Sequence, residues 1–294
     1  MAGTIGRVPE LPDLAILADA FDAALAGRTL AAVTVSDPLV LRATPEQAAA
    51  LAGRSLESVR RRGKLLVFRL GTRDVWAAPM LTGRFALATP GAAKPRAAVT
   101  FVFGPRPTVA RPAPPWVAGA AWLPSDDQSV DVRYLDATRM GKLYVTPAGD
   151  ASGIPGMAEM GPDADDPELD LEGWQARIRR HPGELKPLLR NQAFVAGIGN
   201  AYSDEILWEA RLNPFRRRAS LAPEETAALY AATRSTLAAA VEVLRARVPP
   251  VFEKQVRDHL RVHLRGGQPC PRCGTTISQV GGREATSFCR GCQG

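Results

Sequence analysis

Four cysteines close the chain in the pattern Cys270-x2-Cys273-x15-Cys289-x2-Cys292, and the chain has no others. Two CxxC pairs at this separation let four thiolates converge tetrahedrally on one zinc ion. Four protein ligands leave no open coordination position, so such a zinc is structural. A redox pair or four free thiols are the alternatives; use of every cysteine in one motif argues for the metal. Pro271, Arg272 and Gly274 around Cys273 have the composition of a knuckle turn. Between the pairs, 276–280 and 286–288 read as the strands of a hairpin with Gly281, Gly282 and Arg283 at its tip. An arginine beside glycines at a hairpin tip is well shaped to reach a phosphate, although a merely solvated arginine has the same local sequence.

The elements that precede the ribbon fall into two kinds. Leu14, Leu17, Ala18, Phe21 and Leu25 have helical spacing, ended by Gly27. Short apolar runs broken by turn residues follow at 29–35, 55–61, 65–70, 75–77, 84–88, 98–103, 130–135 and 142–145, with a short helix at 45–52. This is sandwich-like strand patterning. Stretches 89–96 and 104–120, rich in Pro, Gly and Ala, read as loops. Helical patterning occupies 170–180, 183–191, 200–210, 223–246 and 250–263. The class is therefore α+β: an N-terminal β-sandwich domain over 9–148, a linker over 149–169, a helical domain over 170–264 and a zinc ribbon over 265–294.

The chain has 294 residues, ample for two domains, with 46% hydrophobic and 23% charged residues. No apolar run approaches the roughly 18 residues of a membrane helix. The first eight residues lack the apolar stretch of a secretory signal, so the expected location is the cytoplasm. There, paired cysteines read as a metal site before disulfides. The formal charge is +7, and from Pro250 onward seven Lys/Arg face three Asp/Glu. A basic balance suits a polyanionic partner; an Ala- and Arg-rich composition produces the same balance without function.

Further stretches carry a resemblance. They are Pro9-Glu10-Leu11-Pro12-Asp13, then Arg62-Gly63-Lys64-Leu65-Leu66, then the run from Leu189 to Glu205 that contains Gly197-Ile198-Gly199-Asn200. With Gly281-Gly282-Arg283 and Phe288-Cys289-Arg290-Gly291-Cys292-Gln293, they resemble the formamidopyrimidine-DNA glycosylase / endonuclease VIII family, in the expected order across nearly the whole chain. Each motif alone is modest; PELPD by itself is a plain turn. The resemblance implies a β-sandwich, a helix–two-turns–helix domain and a zinc ribbon. It implies a monomer acting on double-stranded DNA that contains oxidised bases or abasic sites. The expected activity is base excision followed by strand cleavage, with the target base flipped out of the stack.

The resemblance also assigns residues. Pro9 matches the family's nucleophilic N-terminal proline, whose secondary amine forms a Schiff base with the sugar. Glu10 matches the acid/base glutamate. Lys64 matches the lysine that reaches DNA or lesion. Asn200 and Arg283 match the pair that grips phosphates, and the glycines before Asn200 are expected to admit a phosphate to backbone N–H groups at a helix start. Tyr202 and Glu205 are read as fixing that helix. Leu81, Thr138 and Met140 stand at the positions that fill the vacated base stack, and Arg139 lies beside Thr138, which cannot itself contact the opposite base as an arginine would.

The chain also departs from the pattern. Pro9 follows eight residues, and while they remain attached its nitrogen is an amide. Translation from a GTG codon read as Val8, with loss of the initiator methionine, exposes the amine. If residues 1–8 stay attached, the reading becomes a catalytically inactive damaged-DNA-binding protein of the same fold. Asp13 replaces the usual glutamate, and 252–267 is too short for the long glycine-rich lesion-capping loop. Both point toward an endonuclease VIII-like or broader lesion spectrum.

Overall fold

The apolar spacing ahead of Gly27 forms α1 (Leu11–Leu25), which ends at Gly27 with φ +84°, the left-handed conformation that favours glycine. The computed structural model describes residues 8–88, 96–107, 112–282 and 284–294. Two compact units emerge from the contacts. The first contains Asp13–Ala158 with Leu244–Val256 and Pro9; the second contains Glu10–Pro12, Glu159–Val243 and Arg257–Gly294. The units are thus discontinuous, where the sequence reading has contiguous blocks. Parts of the stretches read as loops, 89–95 and 108–111, lie outside the described residues, as does Arg283.

In the first unit the short apolar runs form β1 (Leu30–Val35), β3 (Leu56–Arg62), β4 (Leu65–Leu70), β5 (Arg73–Ala78), β6 (Arg84–Ala88), β7 (Val99–Phe103), β8 (Val130–Leu135) and β9 (Lys142–Pro147), and a two-residue strand that no run marks, β2 (Leu41–Arg42), joins them. Helix α2 (Pro45–Ala49) starts on a Thr44–Gln47 capping box. The strands make two sheets, ordered β1-β7-β8-β6 and β2-β9-β5-β4-β3. Phe68 of β4 and Phe85 of β6 bring the sheets together at 5.9 Å between ring centroids. Phe21 of α1 sits 6.4 Å and 6.0 Å from the same two rings, and Phe252 closes on Phe21 at 5.4 Å. Inclined aromatic contacts of this kind add to the burial of apolar area. They make one core of helix, sandwich and returning chain.

The second unit holds α3 (Leu171–Arg180), α4 (Leu185–Arg190), α5 (Asn200–Glu209), most of α6 (Pro223–Arg247), and the hairpin β10 (Ile277–Val280) with β11 (Thr286–Cys289). Its core contains Leu11, Trp174, Leu189, Phe194, Ile198, Tyr202, Ile206 and Leu229. The helix expected over 250–263 does not form. Pro249 and Pro250 lack N–H groups. The N–H groups of Arg261, Val262 and His263 instead donate to the Glu205 carboxylate at 2.8 Å each. A side chain from another helix has taken the donors that a local helix would use. No helix among the described residues is long and apolar enough to cross a membrane.

One close approach shapes the first unit. The buried Tyr134 hydroxyl would lie 1.8 Å from a Cβ built on Gly141 and 2.3 Å from one built on Gly83. Gly141→Ala should therefore destabilise the protein by about 1–3 kcal/mol, as overpacking does. Adding Tyr134→Phe should recover part of the loss in a denaturant-unfolding double-mutant cycle.

Candidate functional site

The first turn of α5 has N–H groups that no helical carbonyl can satisfy. Glu10 satisfies three of the donors at this helix start. Its carboxylate accepts from Gly199 N at 2.6 Å, Ala201 N at 2.8 Å and Tyr202 N at 3.2 Å. A negative charge at a helix N-terminus is also favoured by the helix dipole. The neighbouring backbone is paired as well, with Leu11 N donating to Gly197 O at 2.9 Å. Both glycines are required by this approach. A Cβ on Gly199 would meet Glu10 Cδ at 2.5 Å; Gly197 has φ +101° and would meet Leu11 Cβ at 2.9 Å. The sequence reading had these glycines admitting a phosphate. They admit a carboxylate of the same chain, because the anion the helix start needs is supplied by the residue after Pro9.

Asn200, the first residue of α5, turns its Nδ2 to the carbonyl of Ala285 at 3.3 Å. That carbonyl lies two residues beyond Arg283, so the second unit brings Asn200 to the hairpin tip. A buried ionic cluster missed in the sequence reading secures the same spot. Lys186 of α4 pairs with Asp204 of α5 at 2.7 Å and donates to Ala285 O at 3.1 Å. The other Asp204 oxygen lies 2.8 Å from His263 Nδ1 and accepts from Ser287 N at 3.2 Å. Burial holds the Lys186 ammonium below the usual lysine range against the pull of Asp204. The available signal was Asp204-Glu205 within an otherwise mostly apolar helix: adjacent acids on a buried element must find donors elsewhere.

The remaining sequence-assigned residues lie in the first unit. Pro9 is buried and lines a small cavity of about 20 Å³ with Asp13, Arg84, Phe252, Lys254 and Gln255. Lys64 follows Gly63 in the β3–β4 turn, where Gly63 has φ +56°. Leu81 is partly buried, whereas Met80 and Met140 are about half exposed, at 45% and 46%. Met140 is therefore no part of the sandwich core. Arg139 pairs with Asp37 at 2.6 Å. Asp136 binds the two loops together: it takes the hydroxyls of Thr82 and Tyr134 and the N–H groups of Thr138 and Gly141. Burial and Asp136 together raise the Tyr134 phenol far above its ordinary range. Leu81, Arg139 and Met140 thus sit on one cross-linked pair of loops.

The four cysteine sulfurs lie within 4.8 Å of one another. Cys270 and Cys292 are 3.9 Å apart, and Cys273 and Cys289 are 3.4 Å apart. A tetrahedral site with zinc–sulfur bonds of about 2.3 Å needs sulfurs about 3.8 Å apart, so the arrangement fits a metal ion. The Thr275 hydroxyl and N–H bring the Cys273 thiol down to about 6. Burial and the neighbouring sulfurs push Cys292 up to about 12. Four thiolates in this space would need a cation among them to offset their mutual repulsion. The knuckle turn is present, with Gly274 at φ +75° and its N–H on Cys270 O at 2.9 Å.

Residues 8–143 match the family model of the formamidopyrimidine-DNA glycosylase N-terminal domain, and 160–248 match that of the formamidopyrimidine-DNA glycosylase H2TH domain. The formamidopyrimidine-DNA glycosylase of Symbiobacterium thermophilum is 31% identical, with 97% of this chain and 89% of that one aligned. The Thermus thermophilus protein of the same name is 32% identical over 98% and 99% of the two chains. Among solved structures, the Lactococcus lactis Fpg bound to DNA containing an abasic site aligns with a TM-score of 0.80 at 21% identity, covering 97% of this chain and 99% of that one. This last likeness speaks for the fold. The Glu10 clasp is open to test. Glu10→Gln replaces an acceptor by an N–H₂ group facing backbone donors, and should cost about 1–3 kcal/mol in denaturant unfolding.

Proposed function

Because this chain belongs to the formamidopyrimidine-DNA glycosylase family, we propose that it is a base-excision-repair DNA glycosylase. It removes oxidised bases from double-stranded DNA and cleaves the strand at the resulting abasic site. The observation that carries this reading is the binding of Glu10 to the N–H groups of Gly199, Ala201 and Tyr202. It holds the acid directly after Pro9 in one orientation, on the helix whose first residue is Asn200.

In this reading the flipped nucleotide is brought up to Pro9. The proline nitrogen attacks the sugar C1′, the bond to the damaged base breaks, and the base leaves with a proton. Glu10 moves a proton to the sugar ring oxygen as the ring opens. The resulting iminium draws electrons from C2′, a proton leaves there, and the 3′ phosphate is eliminated. Water then releases the sugar remnant. Lys64 contacts the DNA or the lesion; Asn200 and Arg283 take phosphates. Leu81 and Met140 fill the vacated stack, with Arg139 facing the opposite strand. Cys270, Cys273, Cys289 and Cys292 hold one structural zinc that keeps the hairpin rigid. The protein acts as a monomer on cytoplasmic, nucleoid DNA.

The Pro9 amine is nucleophilic only in a chain that begins there. Protein produced with Pro9 as its first residue should form a covalent adduct with abasic-site DNA under borohydride, and Lys64→Ala should retain it. Protein carrying residues 1–8 should give none. An equal adduct from that longer chain rules out the Pro9 amine.

Arg283 makes a separate prediction. If it neutralises a phosphate, Arg283→Ala should weaken DNA binding across all sequences and lower the slope of log K against log salt by about one unit. An unchanged slope counts against a phosphate contact.

A further inference from the structure

The geometry points to Trp208 as a positioning residue of the metal site, one that ties metal retention to the last turn of α5. Trp208 is 2% exposed, and its indole N–H donates to Cys270 Sγ at 3.3 Å. A donor on a metal-bound thiolate draws charge from the sulfur and holds it in one orientation, as outer-shell partners of metal ligands do. The ring is held in turn. The Arg272 guanidinium carbon lies 3.8 Å from its centroid and that of Arg261 lies 5.5 Å away, within reach of cation–π attraction.

Arg272 belongs to the first knuckle, between Pro271 and Cys273. Beyond its place over the ring, it donates to the Trp208 carbonyl at 2.7 Å and pairs with Glu209 at 2.9 Å. The knuckle and the helix end therefore grip each other reciprocally: the helix donates to a cysteine sulfur and the knuckle donates to a helix carbonyl. Trp208, Cys270 and Cys289 share one buried cluster with Val262 and Ile277. Four thiolates around a divalent ion carry a net negative charge, which an N–H donated to one of the sulfurs partly offsets. A phenylalanine at this position fills most of the same space but leaves Cys270 without the N–H.

This inference rests on the zinc reading above, and the experiment separates the two. Protein as purified is assayed for zinc by mass spectrometry, then mixed with excess pyridylazoresorcinol to follow zinc transfer. About one zinc per chain is expected. Trp208→Phe should release it about tenfold faster than the parent. Trp174→Phe should release it at the parent rate, because that buried indole packs on Phe194 and Tyr230. Zinc removal should also change tryptophan emission in the parent and not in Trp208→Phe. A parental release rate in Trp208→Phe, or equal acceleration in Trp174→Phe, overturns the role of Trp208 while leaving the zinc site standing. Absence of zinc from the purified protein overturns both.

Discussion

A single carboxylate at a helix start governs the second unit. The N-terminus of α5 exposes backbone donors and a partial positive charge, and Glu10 meets both from more than 180 residues away in sequence. The contact is close enough that Gly199 cannot carry a side chain and Gly197 must adopt a left-handed conformation against Leu11. The residue after Pro9 is thereby held on the helix that begins with Asn200. A side-chain anion here performs a task that helix termini elsewhere perform for phosphates.

Helix α5 then distributes that anchorage along its length. Asp204 takes Lys186, His263 and the N–H of Ser287. Glu205 takes three consecutive backbone N–H groups from 261–263. Trp208 reaches Cys270. Within about 15 Å of helix, successive side chains fix the α4 helix, an irregular strap and the cysteine ribbon. Buried charges at this density survive only because each has donors or a counter-ion. That requirement makes the arrangement specific: a different seating of the hairpin would deprive Lys186 of the Ala285 carbonyl and Asp204 of the Ser287 N–H.

The first unit solves a different problem by comparable means. Its aromatic core joins helix and sheets, with Asp22 of α1 accepting from Val59 N of β3 at 2.7 Å, while Asp136 and the buried Tyr134 hydroxyl hold the loops bearing Leu81, Arg139 and Met140. Glycine at 83 and 141 makes room for that hydroxyl. The exposed methionines stand on loops whose backbone is cross-linked, so apolar side chains are presented to solvent from a rigid base.

Much of this was legible in the chain itself. Short apolar runs between turn residues located the strands other than the two-residue β2, helical spacing located α1 and α3–α6, and cysteine spacing located the four-sulfur cluster, because these signals depend on residues close together in sequence. The PELPD and GIGN motifs were legible as motifs, yet not as partners. That the glycines serve Glu10, that Lys186 and Asp204 lie beneath the hairpin, and that 250–263 is a strap instead of a helix were decided by the tertiary structure. In each case the deciding interaction joins a buried polar group to a donor or acceptor far away in sequence. Local periodicity records which side chains avoid water, but it carries no information about which distant backbone N–H groups will need an anion.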